Sequence, residues 1–194
     1  MGIFDNFKKS SLINKGFKLF NQCEYHEAME CYDKVLEMDS NNAKAWLGKG
    51  LVLGKIKEYR DALECYDKSL KLEPDYVDAW NNKGATYMVL LKYHEALDCY
   101  DRAIEIDPKY SLAWNNKGNI LRKLDKPQEA LECFDKALKL DPKNFVVWTD
   151  KGVTLIKLGK YKEALECFNK ALEINHDYKP AMRHKEELVL HGHE

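Results

Sequence analysis

Apolar residues recur along the chain at the four- and three-residue spacings of amphipathic helices. In one kind of segment, a tryptophan is followed four places later by a glycine and three places after that by a leucine or tyrosine. In the other kind, an alanine is followed by an aromatic residue and then by a small residue at the same spacings. Both spacings place their members on one face of an α-helix. The pattern therefore predicts an all-α chain built from pairs of amphipathic helices.

The two kinds of segment alternate with a period of 34 residues. The sequence AWNNKG occurs twice at this spacing, at residues 79–84 and 113–118. The members of the tryptophan and glycine series that we predict to face the packing interface are Trp46, Trp80, Trp114, Trp148, Gly50, Gly84, Gly118 and Gly152. Each second helix is predicted to begin at about Tyr59, Tyr93, Pro127 or Tyr161 and to end at about Leu72, Ile106, Leu140 or Ile174. Proline disfavours helix interiors, so Pro74, Pro108 and Pro142 mark the ends of three units.

This pattern resembles the tetratricopeptide repeat (TPR) family, whose repeats have this period and these residue types. The resemblance covers five complete units: residues 9–42, 43–76, 77–110, 111–144 and 145–178. It divides the chain into an N-terminal extension (residues 1–8), a single TPR array (9–178), and a capping helix with a tail (179–194). It also implies an α-α superhelix, or solenoid, in which two antiparallel helices form each unit and the first helices line the concave side.

The residue before the first-helix glycine departs from the family pattern. A lysine precedes the first-helix glycine in all five units, where the family usually has an apolar residue; these are Lys15, Lys49, Lys83, Lys117 and Lys151. A lysine can lay its methylene groups on apolar surface while its amine reaches water. We therefore expect these amines to point outward without harm to the fold.

Composition and charge exclude several classes of function. The chain is 45% hydrophobic and has a formal net charge of −1, so it lacks the basic excess that is typical of nucleic-acid-binding proteins. Its apolar runs are too short to span a membrane, and the first residues show no apolar signal segment. These observations predict a cytoplasmic protein that binds neither nucleic acid nor membrane.

No residue set indicates catalysis, a metal site or a cofactor. Residues 48–56 contain glycine and lysine but lack the spacing of a phosphate-binding loop. Five of the six cysteines follow the 34-residue period, which indicates small packing residues rather than disulfides or zinc ligands. The tail histidines His184, His191 and His193 are expected to be exposed chain-end residues.

Binding is therefore predicted on the face of the first helices opposite tryptophan and glycine, because this face varies from unit to unit. In the second unit it carries Lys44, Leu47, Gly48, Leu51, Gly54 and Lys55. The residues that we predict to form a peptide-binding groove are Asn81, Asn82, Asn115, Asn116, Asn119, Arg122, Lys123 and Lys157. Asparagine offers a donor and an acceptor to peptide backbone, and the basic side chains would favour an acidic segment. Asparagine ladders hold peptides in TPR grooves, so the resemblance implies the same ligand class.

These patterns predict a non-enzymatic scaffold that binds a peptide or protein segment in its concave groove. One alternative is a structural module that forms homo-oligomers through its repeat ends or convex face. RNA binding is a weaker alternative, because related helical repeats read bases while this chain is balanced in charge.

Overall fold

The computed structural model describes the backbone of residues 3–192 and the side chains of residues 5–192. Within this part of the chain all regular structure is helical, which confirms the predicted all-α class. The helices are α1 (Ile3–Asn21), α2 (Tyr25–Met38), α3 (Ala43–Lys55), α4 (Tyr59–Leu72), α5 (Val77–Val89), α6 (Tyr93–Ile106), α7 (Ser111–Lys123), α8 (Pro127–Leu140), α9 (Phe145–Lys157), α10 (Tyr161–Ile174) and α11 (Lys179–Leu190).

The predicted bounds of the second helices are confirmed, because α4, α6, α8 and α10 begin and end at the residues named from the sequence. The first helix is longer than the later first helices. It begins at Ile3 and has 19 residues, whereas α3 has 13. Residues 3–8, predicted as an extension, thus continue into the first helix without a break.

The helices form two compact units, Met1–Ile106 and Asp107–Glu194. In the first unit, α1 packs on α2, α3 on α4 and α5 on α6, and each of α2 and α4 also contacts the next first helix. In the second unit, α7 packs on α8 and α9 on α10, while α11 contacts α10 and α9. Each unit therefore buries apolar residues within helix pairs and between successive pairs.

The turn inside each helix pair has one residue with a positive φ angle. These residues are Cys23, Lys57, Leu91, Asp125 and Gly159, with φ between 59° and 71°. The amide after each of them returns to a carbonyl in the last turn of the first helix, as Glu58 N does to Leu53 O at 2.9 Å. This bond pattern is the Schellman motif, which glycine fits best. Leu91 adopts the same conformation with a full side chain that is exposed.

The tryptophans hold the loop that precedes their own helix. The indole Nε1 of Trp80 donates a hydrogen bond to Pro74 O at 2.8 Å, and the other three tryptophans make the corresponding bond to Ser40, Pro108 and Pro142. Their rings are half-buried, and a lysine amine lies over each ring face. The amine of Lys68, for example, lies 4.3 Å from the ring centroid of Trp46. They therefore fix the loops as well as the helix interface.

The periodic glycines admit the aromatic ring of the second helix. A Cβ placed on Gly50 would lie 2.6 Å from Cε1 of Tyr66, and one on Gly152 would lie 2.5 Å from Cε1 of Phe168. The rings of Tyr66 and Phe168 are almost fully buried. Because real Cβ atoms do not approach a ring so closely, the two helices could not pack at this distance with any other residue.

The lysines before these glycines form ion pairs with the preceding helix pair. In three of these pairs the lysine Nζ lies 2.6 Å from a carboxylate oxygen: Lys49 with Asp33, Lys83 with Asp67, and Lys151 with Asp135. Each aspartate directly follows the buried aromatic residue of a second helix. The expectation that these amines point freely outward is therefore wrong for these three residues, because a carboxylate of the neighbouring pair lies within reach.

Candidate functional site

Two of the predicted groove residues lie in α5 and differ sharply in exposure. Asn81 is only 3% exposed, so its side chain belongs to the packing between helices. Asn82 is half-buried, and its Nδ2 donates to Asp78 O, one turn earlier in the same helix, at 2.7 Å. Of the two residues, Asn82 alone has side-chain surface to offer a ligand.

A cleft of about 200 Å³ lies beside Asn82 in the first unit. Its walls come from α3, α4 and α5, and its lining is Leu51, Gly54, Lys55, Tyr59, Tyr66, Asn82, Ala85, Thr86 and Val89. The cleft exists because Gly54 has no side chain. At the corresponding position the other first helices carry Phe20, Met88, Arg122 and Ile156. A Cβ on Gly54 would meet only the hydroxyl of Tyr66, at 3.6 Å.

The floor of this cleft is mostly apolar. Burial raises the pKa of Tyr66 well above its ordinary value, and hydrogen bonding with Thr86 offsets part of that effect. Thr86 also donates from Oγ1 to Asn82 O at 3.0 Å. Lys55 at the rim is exposed. The cleft can therefore receive one apolar side chain while Lys55 and Asn82 meet polar groups around it.

In the second unit, the structure joins two predicted residues to a carboxylate. Asn119 Nδ2 donates to Asp150 Oδ2 at 2.9 Å, and Arg122 Nη2 donates to Asn119 Oδ1 at 2.9 Å. Arg122 Nη2 also lies 3.9 Å from Asp150 Oδ1. Burial raises the pKa of the Asp150 carboxyl, although Asn119 and Arg122 counteract this effect. The network links α7 to α9 and engages side chains that were expected to face a ligand.

The remaining predicted residues of the second unit lie around this network. Asn115 is 8% exposed, and its Oδ1 has no hydrogen-bond partner among the described residues. Asn116 is half-buried and Lys123 is exposed. Lys157 Nζ lies 3.3 Å from Arg122 O and 3.4 Å from Asp125 Oδ1. These pairings reduce the positive charge that the sequence suggested for this face.

The periodic cysteines are packing residues. Cys31, Cys65, Cys99, Cys133 and Cys167 are buried free thiols. Burial raises the pKa of Cys65 to about 11 and that of Cys99 to about 12, so both thiols stay protonated and weakly nucleophilic.

Among the described residues, no three His, Cys, Asp or Glu side chains lie close enough together to hold a metal ion. His193 lies outside the described residues, and His191 is exposed. His184 is not a loose tail residue, because its ring stacks on Phe168 with the centroids 5.6 Å apart. Over the same part of the chain, no helix combines the length and apolar character that crossing a bilayer requires.

Comparison with known families shows where this architecture recurs. One family profile described as tetratricopeptide repeat matches residues 43–76, 77–110, 111–144 and 145–178, and a second profile of the same description matches residues 10–42. No curated protein is significantly similar in sequence to this chain.

Three solved structures illustrate the similarity. A crystal structure of YrrB, described as a TPR protein with an unusual peptide-binding site, is 28% identical, with 90% of each chain covered and a TM-score of 0.69. MamA is 25% identical over 83% of this chain and 94% of that chain, with a TM-score of 0.72. Pseudomonas aeruginosa PilF shares the fold with a TM-score of 0.82 at 21% identity, covering 95% of this chain and 91% of that chain.

Proposed function

This chain belongs to the tetratricopeptide repeat family, and we propose that it is a non-enzymatic scaffold that binds an extended segment of a protein partner. TPR repeats are protein-interaction modules, so the class of ligand follows from the family. The finer proposal concerns the site. We place it at the cleft between α3 and α5, with Gly54 at its centre.

The cleft itself is the observation that carries this proposal. It is a mostly apolar recess of about 200 Å³ between α3 and α5, with a buried tyrosine beneath it. A recess of this size suits one aliphatic or aromatic side chain of a bound peptide. Met88, at the equivalent position of α5, shows that an ordinary apolar side chain is compatible with this place in a first helix.

The rim of the cleft supports an extended ligand. Asn82 uses Nδ2 within its own helix, which leaves its carbonyl oxygen as an acceptor for a peptide N–H. The exposed amine of Lys55 can meet a carbonyl or a carboxylate of the ligand. YrrB, whose structure is described as having an unusual peptide-binding site, adds support for a peptide as the ligand class.

The proposed site is narrower than the set predicted from the sequence. We leave out Asn81 and Asn115 because they are buried. Asn119, Arg122 and Lys157 already hold neighbouring groups in the second unit. Asn116 and Lys123 remain candidates for a second contact region.

We also propose a cytoplasmic location for the protein. Its free cysteines fit this location, because thiols persist in a reducing compartment.

Selection from a displayed library of random peptides tests this proposal. We expect enriched peptides to share an apolar residue and to bind wild type, but to lose most of their affinity for Gly54→Met, which fills the cleft. Lys71→Met, which places the same methionine at an exposed position of α4 outside the cleft, is the control and should bind like wild type. Equal binding to Gly54→Met and wild type, or no enriched peptide at all, would contradict the site.

A further inference from the structure

The last helix, α11, repeats the packing of a first helix. It begins at Lys179, 34 residues after α9 begins at Phe145. Ala181 is fully buried and occupies the register of Ala45 in α3. Leu188 is also buried, seven residues further on. Thus α11 covers α10 in the way that a first helix covers the second helix before it.

The face of α11 adjacent to this buried one is uncovered within the described residues. It carries Met182 and Val189, which are 39% and 41% exposed, at the positions that hold tryptophan and leucine or tyrosine in first helices. Leu190 beside them is 83% exposed. With Leu172 of α10 and with Lys185 and Glu186, these residues line a cleft of about 520 Å³. In each full repeat the same face packs against the second helix of its own pair.

A second helix of the repeat type does not fit this cleft. Glu186 occupies the register of the periodic glycines, where a Cβ would already lie less than 3.0 Å from the partner ring. A glutamate there excludes the buried aromatic residue that every second helix of this chain carries. The occupant must instead offer apolar contacts to Met182 and Val189 and a positive charge to Glu186.

Lys185 and Glu186 differ from their neighbours in their ion pairing. Glu187 lies within 4 Å of Arg183 and His184, whereas neither Lys185 nor Glu186 forms an ion pair within residues 5–192. The cleft therefore presents one basic and one acidic side chain side by side between two apolar residues. Such a surface is complementary to itself when turned through a twofold axis.

We propose that this face of α11 binds the same face of a second copy of the chain, with the two helices antiparallel. When Met182 is set opposite Val189 of the second copy, Lys185 comes opposite Glu186 of the second copy. The twofold axis makes each contact occur twice. The four positions 182, 185, 186 and 189 have the spacing of a single helix face, so all of them meet in one register. This proposal does not depend on peptide binding at Gly54.

Analytical ultracentrifugation of the full chain, from micromolar to millimolar concentration, tests the interface. We expect wild type to pass from a 22.6 kDa monomer to a dimer. Lys185→Glu alone and Glu186→Lys alone should each raise the dimer Kd by about tenfold, because each places like charges together twice. The double exchange K185E/E186K should restore dimerisation, because the two positions face each other across the axis.

Lys162→Glu, a charge reversal at an exposed position of α10, is the control and should dimerise like wild type. Circular dichroism will show that each variant keeps its helical content, which is expected because Ala181 and Leu188 are untouched. Three results would overturn the proposal: a monomer at every concentration, single reversals without effect, or a double exchange that fails to restore the dimer. Peptide binding to the same samples reports on the Gly54 cleft separately.

Discussion

Lys83 and Asp67 form an ion pair between the third helix pair and the second, with Nζ 2.6 Å from the carboxylate oxygen. The lysine side chain is only 15% exposed, while the aspartate is 58% exposed. The amine of Lys83 also lies 5.3 Å from the ring centroid of Trp80. The residue that departs from the family pattern therefore contributes to repeat stacking, and its charge depends on a partner in the preceding pair.

The two members of this pair should respond unequally to mutation. Asp67→Asn leaves a largely buried ammonium group without its counter-ion and should cost about 1 kcal/mol of unfolding free energy. Lys83→Met leaves a carboxylate that water can reach, so its cost should stay below about 0.5 kcal/mol. Urea unfolding followed by circular dichroism measures both. A larger loss in Lys83→Met than in Asp67→Asn would contradict the assignment.

The same pair predicts a loss of stability at high pH. Burial lowers the pKa of Lys83, but the hydrogen bond and charge of Asp67 outweigh burial and raise the pKa above its ordinary value. Because the lysine pKa is raised, the pair makes its full contribution to the unfolding free energy below about pH 10.4. The contribution is lost as the pH rises through the folded-state value. Wild type should therefore lose more stability than Asp67→Asn when alkaline unfolding curves are compared.

Two glycines four residues apart in α3 should have opposite responses to alanine. Gly50→Ala places a methyl group against the ring of Tyr66 and should destabilise the first unit by about 1–3 kcal/mol. Gly54→Ala meets nothing closer than 3.6 Å and should stabilise it by up to about 1 kcal/mol, because alanine favours the helix. Thermal unfolding of the two variants provides the comparison. If Gly54→Ala proves as damaging as Gly50→Ala, the cleft is not open as described.

The turn between α5 and α6 offers a stabilising change. Leu91 has a φ angle of 59°, a conformation that costs a residue with a Cβ about 1–2 kcal/mol. Leu91→Gly should therefore raise the unfolding free energy by about 0.5–1 kcal/mol after the added flexibility of the unfolded chain is subtracted. Gly159→Leu, the reverse change at the equivalent turn of the second unit, should lower it. Calorimetry of both variants checks the prediction, and a destabilised Leu91→Gly would refute it.

Asp150 should make the second unit sensitive to pH. Burial raises the pKa of its carboxyl, so its ionised form lowers stability at neutral pH. This penalty disappears as the pH falls through the folded-state pKa toward the ordinary value near 3.9. Asp150→Asn should therefore be more stable than wild type at pH 7, and the difference should shrink on acidification. Asn82 and Asn116 occupy the equivalent position in other repeats, which indicates that asparagine fits there.

The sequence predicted the helices well because each bound depends on local signals. The period, the Gly–aromatic spacing and the prolines placed α4, α6, α8 and α10 to the residue. The Lys–Asp pairs were missed, although the sequence contains a signal for them. In the first four units, an aspartate follows the aromatic residue of the second helix, and the next unit supplies a lysine–glycine pair. In the fifth unit, Asn169 stands in place of the aspartate, and no lysine–glycine pair follows.

The candidate site was less predictable, because helical spacing indicates on which face of a helix a residue lies but not how far its side chain is buried. Asn81 and Asn82 are neighbours on the predicted groove face, yet Asn81 is buried by packing against other helices. The cleft depends on the absence of a side chain at Gly54 and on the ring of Tyr66, which comes from another helix. Similarly, the Asn119–Asp150 bond joins residues 31 apart. Such pairings are set by the distance between helices, which residue patterns alone do not give.

NMR mapping of a selected peptide on the isotopically labelled protein is the sharpest test of peptide binding at the cleft between α3 and α5. Addition of the tightest peptide from the display selection should shift amide signals around Leu51, Gly54, Ala85 and Val89, which line the cleft between α3 and α5. The same peptide should leave these signals unchanged in Gly54→Met. Shifts confined to the outer faces of α2 and α4, or to α11, would contradict peptide binding at this cleft.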